Sequence, residues 1–527
     1  MQALLELASP TATPQEIMNA ILKMPVDLMW FGGIGTYIRA SSETNADAGD
    51  RANDAIRITG KELRCKVIGE GANLGATQLG RIEAARAGVR LNTDAIDNSA
   101  GVNSSDVEVN IKIALSTPIA DGRLTLATRN PLLASMTDDV AKLVLRNNYL
   151  QSLALSLTQM KGVSDVADEK RLMHALEAAG RLDRKVEYLP EDLMLDTLER
   201  EGKGLTRPEL AVLLAYAKLA FHDDVLASEV PDDPYFALEL HRYFPDGVRV
   251  GYPDAVDTHR LRREIIATGL ANAVINRTGP SLAVRLAEDS GRPVADVARA
   301  YALTRDVFGV LEINTAIDTL DAKIGGSLQM ELYGTVQQFT IDRMGWFMRH
   351  VDFAPGLSAL VERFRIGAKA ASTTSGDTQA WLERGVPADI AAKIQQLSAF
   401  TAVPDAILVS EHAGCGAADA LATLTILAGH LNASGLRNAT SQVVTSDSYE
   451  RRALMQMLDH LDTSLRDLSV EVIKQGGLGA TGVRLWAKQR EAELGRTRKT
   501  LQDSLTGQSS LAKISIAVGA LQDLSRP

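Results

Sequence analysis

The sequence changes character near residue 125, and this change limits the folds that the chain can adopt. Before that point, short β-type runs at Val26–Phe31, Cys65–Ile68 and Val89–Leu91 alternate with glycine-rich turns and helical segments. After it, apolar residues recur at the spacing of about 3.6 residues that is typical of helices. Strands that alternate with helices favour an open parallel sheet. We therefore expect a small parallel α/β part followed by a large, mostly α-helical region.

The length of the chain predicts several structural units. At roughly 150 residues per domain, 527 residues correspond to about three to four units. We expect the α/β part to comprise residues 1–125 and the helical region residues 126–527. Residues 367–376 are rich in alanine, serine and threonine, and we expect them to separate two helical sub-bundles.

The composition excludes several classes of protein. The chain has 56 basic and 66 acidic residues, which gives a net charge of −10. General binding of nucleic acid requires a basic face, so we expect no nucleic-acid partner. Cys65 and Cys415 cannot form a disulfide scaffold or a four-cysteine zinc site, and the eight histidines are scattered, so we expect no metal site. Without a secretory signal or a run of about 18 apolar residues, we expect a cytoplasmic protein with no membrane partner.

Two polar turns in residues 66–112 are the strongest candidates for binding chemistry. Asn73 follows the second β-type run, and Asn98 opens a small-residue turn that ends before a helix predicted over 106–115. Ligands bind where parallel strands end, and an asparagine amide suits a ribose hydroxyl or a carboxamide. Ser105 lies just before the predicted helix, whose N-terminal amides favour a carboxylate. The local chemistry fits a dinucleotide beside an anionic substrate, but it leaves open that these residues only shape turns.

The same stretch resembles a known family. Glu70–Asn73 is similar to the E-G-A-N turn of the amino-acid dehydrogenases that include glutamate dehydrogenase. Asn98–Val102, with Ser105 and Glu108 in step, resembles their N-x-G-G-V-x-x-S-x-x-E element. Three further segments resemble the very large NAD-specific glutamate dehydrogenases of bacteria: residues 25–37, 204–218 and 262–277. The resemblance covers nearly the whole chain.

This resemblance implies a fold and a set of binding residues. The fold would be the α/β remnant of a Rossmann-like parallel sheet, followed by the large helical region. The cofactor would be NAD, and the reaction the oxidative deamination of L-glutamate to 2-oxoglutarate and ammonia. Asn73 would lie beside the ribose, Asn98 would bind the nicotinamide carboxamide, and Gly32 and Gly33 would line the coenzyme groove. Ser105 would hold the substrate carboxylate.

The chain also departs from the family pattern. Leu74-Gly75 stands where the smaller enzymes have Gly-Pro. No segment resembles the family's catalytic lysine or aspartate, so we find no catalytic residue in this chain. The G-x-G-x-x-G turn that binds the coenzyme phosphates is also missing. We expect a C-terminal portion of a longer, homo-oligomeric enzyme that is inactive alone. The alternative is a noncatalytic helical scaffold or a regulatory or oligomerisation module.

Overall fold

The computed structural model describes residues 2–7, 9–371, 378–443, 445 and 448–526. The chain divides into two compact units, Met1–Arg299 and Ala300–Pro527. Residues 372–377, which include the second half of the predicted break at 367–376, lie outside the described residues. The predicted boundary at residue 125 and the two predicted sub-bundles stay predictions.

The first unit contains the strands and most of the short helices. Its strands are β1 (Leu28–Phe31), β2 (Ile38–Arg39), β3 (Ile58–Thr59) and β4 (Val67–Glu70). Its helices are α1 (Pro14–Leu22), α2 (Asn45–Ala48), α3 (Gln78–Arg86), α4 (Asp94–Asp97), α5 (Ser99–Ala120), α6 (Leu126–Ser135), α7 (Thr137–Lys161), α8 (Val166–Ala178), α9 (Asp192–Arg200), α10 (Arg207–Leu226), α11 (Ala237–Tyr243), α12 (Asp246–Arg249), α13 (Pro253–Asp257), α14 (Arg262–Thr278), α15 (Leu282–Ser290) and α16 (Asp296–Phe308), which continues past residue 299. Short 3₁₀ turns cover Arg51–Asn53, Gly60–Glu62, Gly162–Asp165, Val230–Asp232 and Pro234–Phe236.

The strands form two parallel pairs. β1 pairs with β4 in a register that runs from Leu28 opposite Val67 to Phe31 opposite Glu70. β2 pairs with β3. The third predicted run is reduced to a single parallel bridge between Val67 and Arg90. Because β1 and β4 are parallel, the turns that follow them lie at the same edge of the pair.

The β1–β4 pair has one buried and one exposed face. Met29, Phe31 and Ile68 point into a core that α3 helps to cover. On the opposite face, Leu28 and Trp30 are 58% and 61% exposed. This alternation follows from the two-residue period of a strand and fixes which side chains face the core.

Helix starts in the first unit follow their sequence signals. Thr13 accepts a hydrogen bond from the Glu16 amide, and Glu16 reaches back to the Thr13 amide, so the two residues form a capping box at the start of α1. Thr206 and Glu209 form the same arrangement at the start of α10. Proline follows each cap directly or after one residue, where its missing N–H costs no helical hydrogen bond.

The second unit is helical throughout its described part. Its helices are α17 (Val310–Asp318), α18 (Gly326–His350), α19 (Leu357–Ala370), α20 (Gln379–Glu383), α21 (Ala388–Phe400), α22 (Val403–Ala413), α23 (Ala417–His430), α24 (Ala433–Ser441), α25 (Ser448–Gly476), α26 (Gly479–Gln489), α27 (Glu491–Leu505) and α28 (Leu511–Ser525). The long helix α25 carries buried Leu461, Leu465 and Leu468 into a core that it shares with α23, α26 and α28.

The predicted fold class is confirmed: a small parallel α/β part precedes a large, mostly helical region. None of the helices described here is both long enough and apolar enough to cross a lipid bilayer.

Candidate functional site

The two predicted asparagines meet at the edge where β1 and β4 end. Asn73 lies in the turn after β4, and Asn98 lies between α4 and α5. The Asn98 Nδ2 donates a hydrogen bond to the Asn73 Oδ1 across 25 residues of sequence. Asn73 is exposed and Asn98 is half-buried, and their remaining amide groups have no hydrogen-bond partner among the described residues. These groups can therefore bind a ligand from solvent.

The turn after β4 is held by a buried ion pair. Glu70 is fully buried and accepts two hydrogen bonds from Arg81 on α3, at 2.7 and 2.8 Å. This forked geometry fixes both side chains. Burial raises the pKa of Glu70, while the two hydrogen bonds from Arg81 act in the opposite direction. The motif glutamate is thus a structural anchor for the turn that carries Asn73.

Two aspartates on α4 hold the same turn through its backbone. The Asp97 Oδ2 accepts a hydrogen bond from the Glu70 amide at 2.9 Å, and the Asp94 Oδ2 accepts one from the Leu74 amide at 2.8 Å. Burial raises the pKa of Asp97, and hydrogen bonds from Asn92 and Glu70 act against that shift. Because α4 leads directly into Asn98, the two carboxylates fix the position of Asn98 relative to Asn73.

Sequence reasoning missed Asp94 and Asp97. Their three-residue spacing places them on one face of a one-turn helix between the two asparagine turns, and that spacing is the signal that could have found them. Sequence reasoning also missed Asn92, which donates a hydrogen bond to the Asp97 Oδ1 at 2.6 Å.

The glycine turn after β1 lies against the asparagine turn. The Ala72 amide donates to the Phe31 carbonyl at 3.0 Å, which joins the two turns at the sheet edge. Gly32 and Gly33 are exposed, and a Cβ built on Gly33 would meet no atom within 4 Å. The described packing does not require glycine at position 33, and the role of both residues in a coenzyme groove stays a prediction.

The side chain of Trp30 explains why positions 69 and 71 are occupied by glycine. Its indole ring covers β4, and a Cβ on Gly69 or Gly71 would lie 2.6 or 2.3 Å from ring atoms. Such distances are too short for carbon atoms in contact, so glycine at these positions lets the ring lie against the strand. Gly71, the glycine of the E-G-A-N motif, therefore has a packing role.

The expected position of Ser105 at a helix N-terminus is wrong. Helix α5 begins at Ser99, seven residues earlier than the predicted helix, and Asn98 occupies its N-cap position. The small residues after Asn98 continue the helix instead of forming a turn, so the amide of Ser105 lies within the helix. Seven residues make about two turns, which puts the exposed Ser105 on the same face of α5 as Asn98, about 10 Å further along. Its substrate role stays a prediction that depends on this shared face.

No group of three or more histidine, cysteine or acidic side chains in the described part of the chain could hold a metal ion. The described geometry instead offers amides, hydroxyls and small residues at the end of a parallel strand pair.

Two family models match the chain. Residues 202–523 match the model described as glutamate dehydrogenase, C-terminal. Residues 1–158 match the model described as bacterial NAD-glutamate dehydrogenase, catalytic domain. The two matches cover both the α/β part and the helical region.

Curated relatives agree with these matches. NAD-specific glutamate dehydrogenases from Halomonas elongata and Mycobacterium tuberculosis are each 36% identical over 97% of this chain. The one from Pseudomonas aeruginosa is 36% identical over the whole chain. The chain spans 33%, 32% and 34% of these three relatives, respectively, about a third of their length. The chain therefore belongs to the glutamate dehydrogenase family, as its motifs predicted.

Proposed function

We propose that this chain is part of an NAD-dependent glutamate dehydrogenase. The enzyme would convert L-glutamate, NAD⁺ and water into 2-oxoglutarate, ammonium, NADH and a proton. The observation that carries the proposal is the direct contact of Asn73 and Asn98 at the carboxyl edge of a parallel strand pair. The names of the relatives give the reaction and the coenzyme.

The residues at this edge fit NAD. Asn98 offers an amide acceptor and donor to the nicotinamide carboxamide, and Asn73 offers donors to a ribose hydroxyl. The exposed Gly32 and Gly33 leave space for a ligand beside them. NAD would accept the hydride from the glutamate α-carbon at the nicotinamide C4. Asn98, by holding the carboxamide, would determine which face of the ring receives it.

The residues of this chain orient the reactants in this proposal. Ser105 would donate a hydrogen bond to a substrate carboxylate from the face of α5 that also carries Asn98. The sequence has no segment that resembles the family's catalytic lysine or aspartate, so we assign no proton transfer to this chain. We do not propose the noncatalytic scaffold, because both family matches are to an enzyme.

We also propose a cytoplasmic homo-oligomer with a Rossmann-like coenzyme domain. The parallel β1–β4 pair and the parallel bridge to Arg90 support that domain type. The net charge of −10 argues against a nucleic-acid partner. The exposed apolar side chains of Leu28 and Trp30, on the open face of the β1–β4 pair, support association.

NADH titration of the enzyme that contains this chain tests the proposal. Asn98→Ala removes the amide assigned to the carboxamide, and we expect the Kd for NADH to rise about tenfold. Asn130→Ala is the matched control, because Asn130 is exposed on α6 and accepts hydrogen bonds from the neighbouring Arg129. An unchanged Kd in Asn98→Ala, or an equal rise in the control, would contradict the assignment.

A further inference from the structure

A polar network joins the candidate coenzyme edge to two helices of the helical region. It begins on α7 and α10 and ends at the backbone of the motif turn after β4. Every contact in it lies within the first unit. The network connects residues that are more than 100 positions apart in sequence.

Arg207, the first residue of α10, is the center of this network. Its Nη1 donates to the Ser156 Oγ at 2.9 Å, and its Nη2 donates to the Ser152 carbonyl at 2.9 Å. Both partners lie on α7, so the guanidinium is held by two contacts to one helix. The third donor, Nε, points the other way and donates to the Asn92 Oδ1.

Asn92 transmits this contact to the motif turn. Its Nδ2 donates to the Asp97 Oδ1 at 2.6 Å, and the Asp97 Oδ2 accepts from the Glu70 amide at 2.9 Å. Asp97 also precedes Asn98 directly. The position of Arg207 therefore affects both the strand end that leads to Asn73 and the residue next to Asn98.

A second contact supports α4 from the same helix. The Asn148 Nδ2 on α7 donates to the Ile96 carbonyl at 2.7 Å and to the Ser99 Oγ at 3.0 Å. These two groups lie on either side of Asn98 in the sequence. Asn148 of α7 therefore holds the body of α4, and Arg207 of α10 holds the loop that precedes it.

We propose that Arg207 is a positioning residue for coenzyme binding, acting through Asn92 and Asp97 on the Asn73–Asn98 pair. The proposal rests on the proposed function. The N–H donors of Arg207 reach two acceptors on α7 and one in the loop before α4. This arrangement requires the planar guanidinium, since the single ammonium of lysine cannot reach all three acceptors. The helical region thus helps to set the geometry of the coenzyme site.

The test compares steady-state kinetics and NADH titrations of the enzyme that contains this chain. Arg207→Ala and Asn92→Ala each break the same connection, so each is expected to raise the KM for NAD about tenfold while kcat changes less than twofold. The double variant is expected to show no further rise, because both residues act through one route. Arg207→Lys is expected to recover less than half of the affinity for the coenzyme that Arg207→Ala loses.

Arg285→Ala controls for a general loss of stability. Arg285 is an arginine of the same unit that pairs with buried Asp168 at 2.8 Å, so removing it disturbs packing without touching the network. We expect its KM for NAD to stay within twofold of the parent value.

Three results would overturn the proposal. They are an unchanged KM in Arg207→Ala, additive effects in the double variant, and an equal rise in Arg285→Ala. If Asn98→Ala weakens NADH binding while Arg207→Ala does not, the positioning role fails and the proposed function stands. If the parent enzyme does not bind NADH, both fail.

Discussion

Leu74 has a backbone conformation that side chains other than glycine rarely adopt. Its φ of 61° lies in the left-handed region, and its amide is fixed by Asp94. The smaller dehydrogenases that the sequence resembles have glycine there. Leu74 is 61% exposed, so little apolar burial offsets the strain of the left-handed conformation.

Substituting Leu74 tests this strain. At an ordinary position alanine is more favourable than glycine, whereas at a left-handed position the order reverses. We expect Leu74→Gly to have a free energy of unfolding about 1 kcal/mol above that of Leu74→Ala. Urea denaturation of both variants measures the difference. If the alanine variant were the more stable one, Leu74 would not be strained.

Glu169 is a buried carboxyl group whose ionisation opposes folding. It is 2% exposed, and its Oε2 has no hydrogen-bond partner among the described residues. Burial raises its pKa to about 8, and the charges of Asp165 and Glu209 add to the shift.

This raised pKa predicts a pH dependence of stability. Between about pH 4.5 and pH 8 the unfolded chain releases the proton while the folded chain keeps it, so the contribution of Glu169 to stability falls as the pH rises. Glu169→Gln removes the titration. Its free energy of unfolding relative to the parent is expected to increase by at least about 1 kcal/mol from pH 5 to pH 8.5. A difference that is constant with pH in urea titrations would show that the carboxyl group is ionised in the folded protein.

At the scale of elements, helix α3 is attached to strand β4 by one side chain. Arg81 reaches the buried Glu70 with two donors and lies 3.2 Å from the Asp94 Oδ1 on α4. It therefore joins a strand and two helices around the motif turn. Removing one partner of a buried ion pair leaves an uncompensated charge, which is more costly than losing an exposed pair.

One arginine variant and one lysine variant measure the difference in cost between losing a buried and an exposed ion pair. Arg81→Ala is expected to lower the free energy of unfolding by about 3–5 kcal/mol. Lys66→Ala, which removes an exposed ion pair with Asp27, is expected to change it by about 0.5 kcal/mol or less. Chemical denaturation gives both values. Similar small losses in the two variants would mean that Arg81 does not anchor the turn.

Local sequence predicted some elements and not others, for physical reasons. Strands β1 and β4 depend on nearby residues, and both overlap the runs predicted for them. The third predicted run forms only a single bridge, and β2 and β3 were not predicted. The start of α5 was wrong because Asn98 and the serine and glycine after it are typical of turns, while the contact of Ser99 with Asn148 supports a helix there. The capping box of Thr206 and Glu209 follows from a local sequence pattern. The contact of Arg207 with Asn92 depends on tertiary packing, which no local pattern contains.

At the scale of the whole chain, the predicted α/β and helical parts are connected by side chains. Hydrogen bonds from Asn148 and Arg207 cross the predicted boundary at residue 125. Asn73 and Asn98 were predictable as site residues because they lie in motifs that resemble a known family. Their direct contact was not predicted and depends on the fold. This chain spans about a third of the length of its relatives.

The central claim is that the Asn73–Asn98 edge binds the nicotinamide end of NAD. A crystal structure of the enzyme that contains this chain, with NADH and 2-oxoglutarate bound, tests it most directly. We expect the carboxamide of NADH within about 3 Å of the Asn98 amide, and a substrate carboxylate at Ser105. NADH bound elsewhere, with Asn73 and Asn98 still paired and in contact with solvent, would contradict the claim.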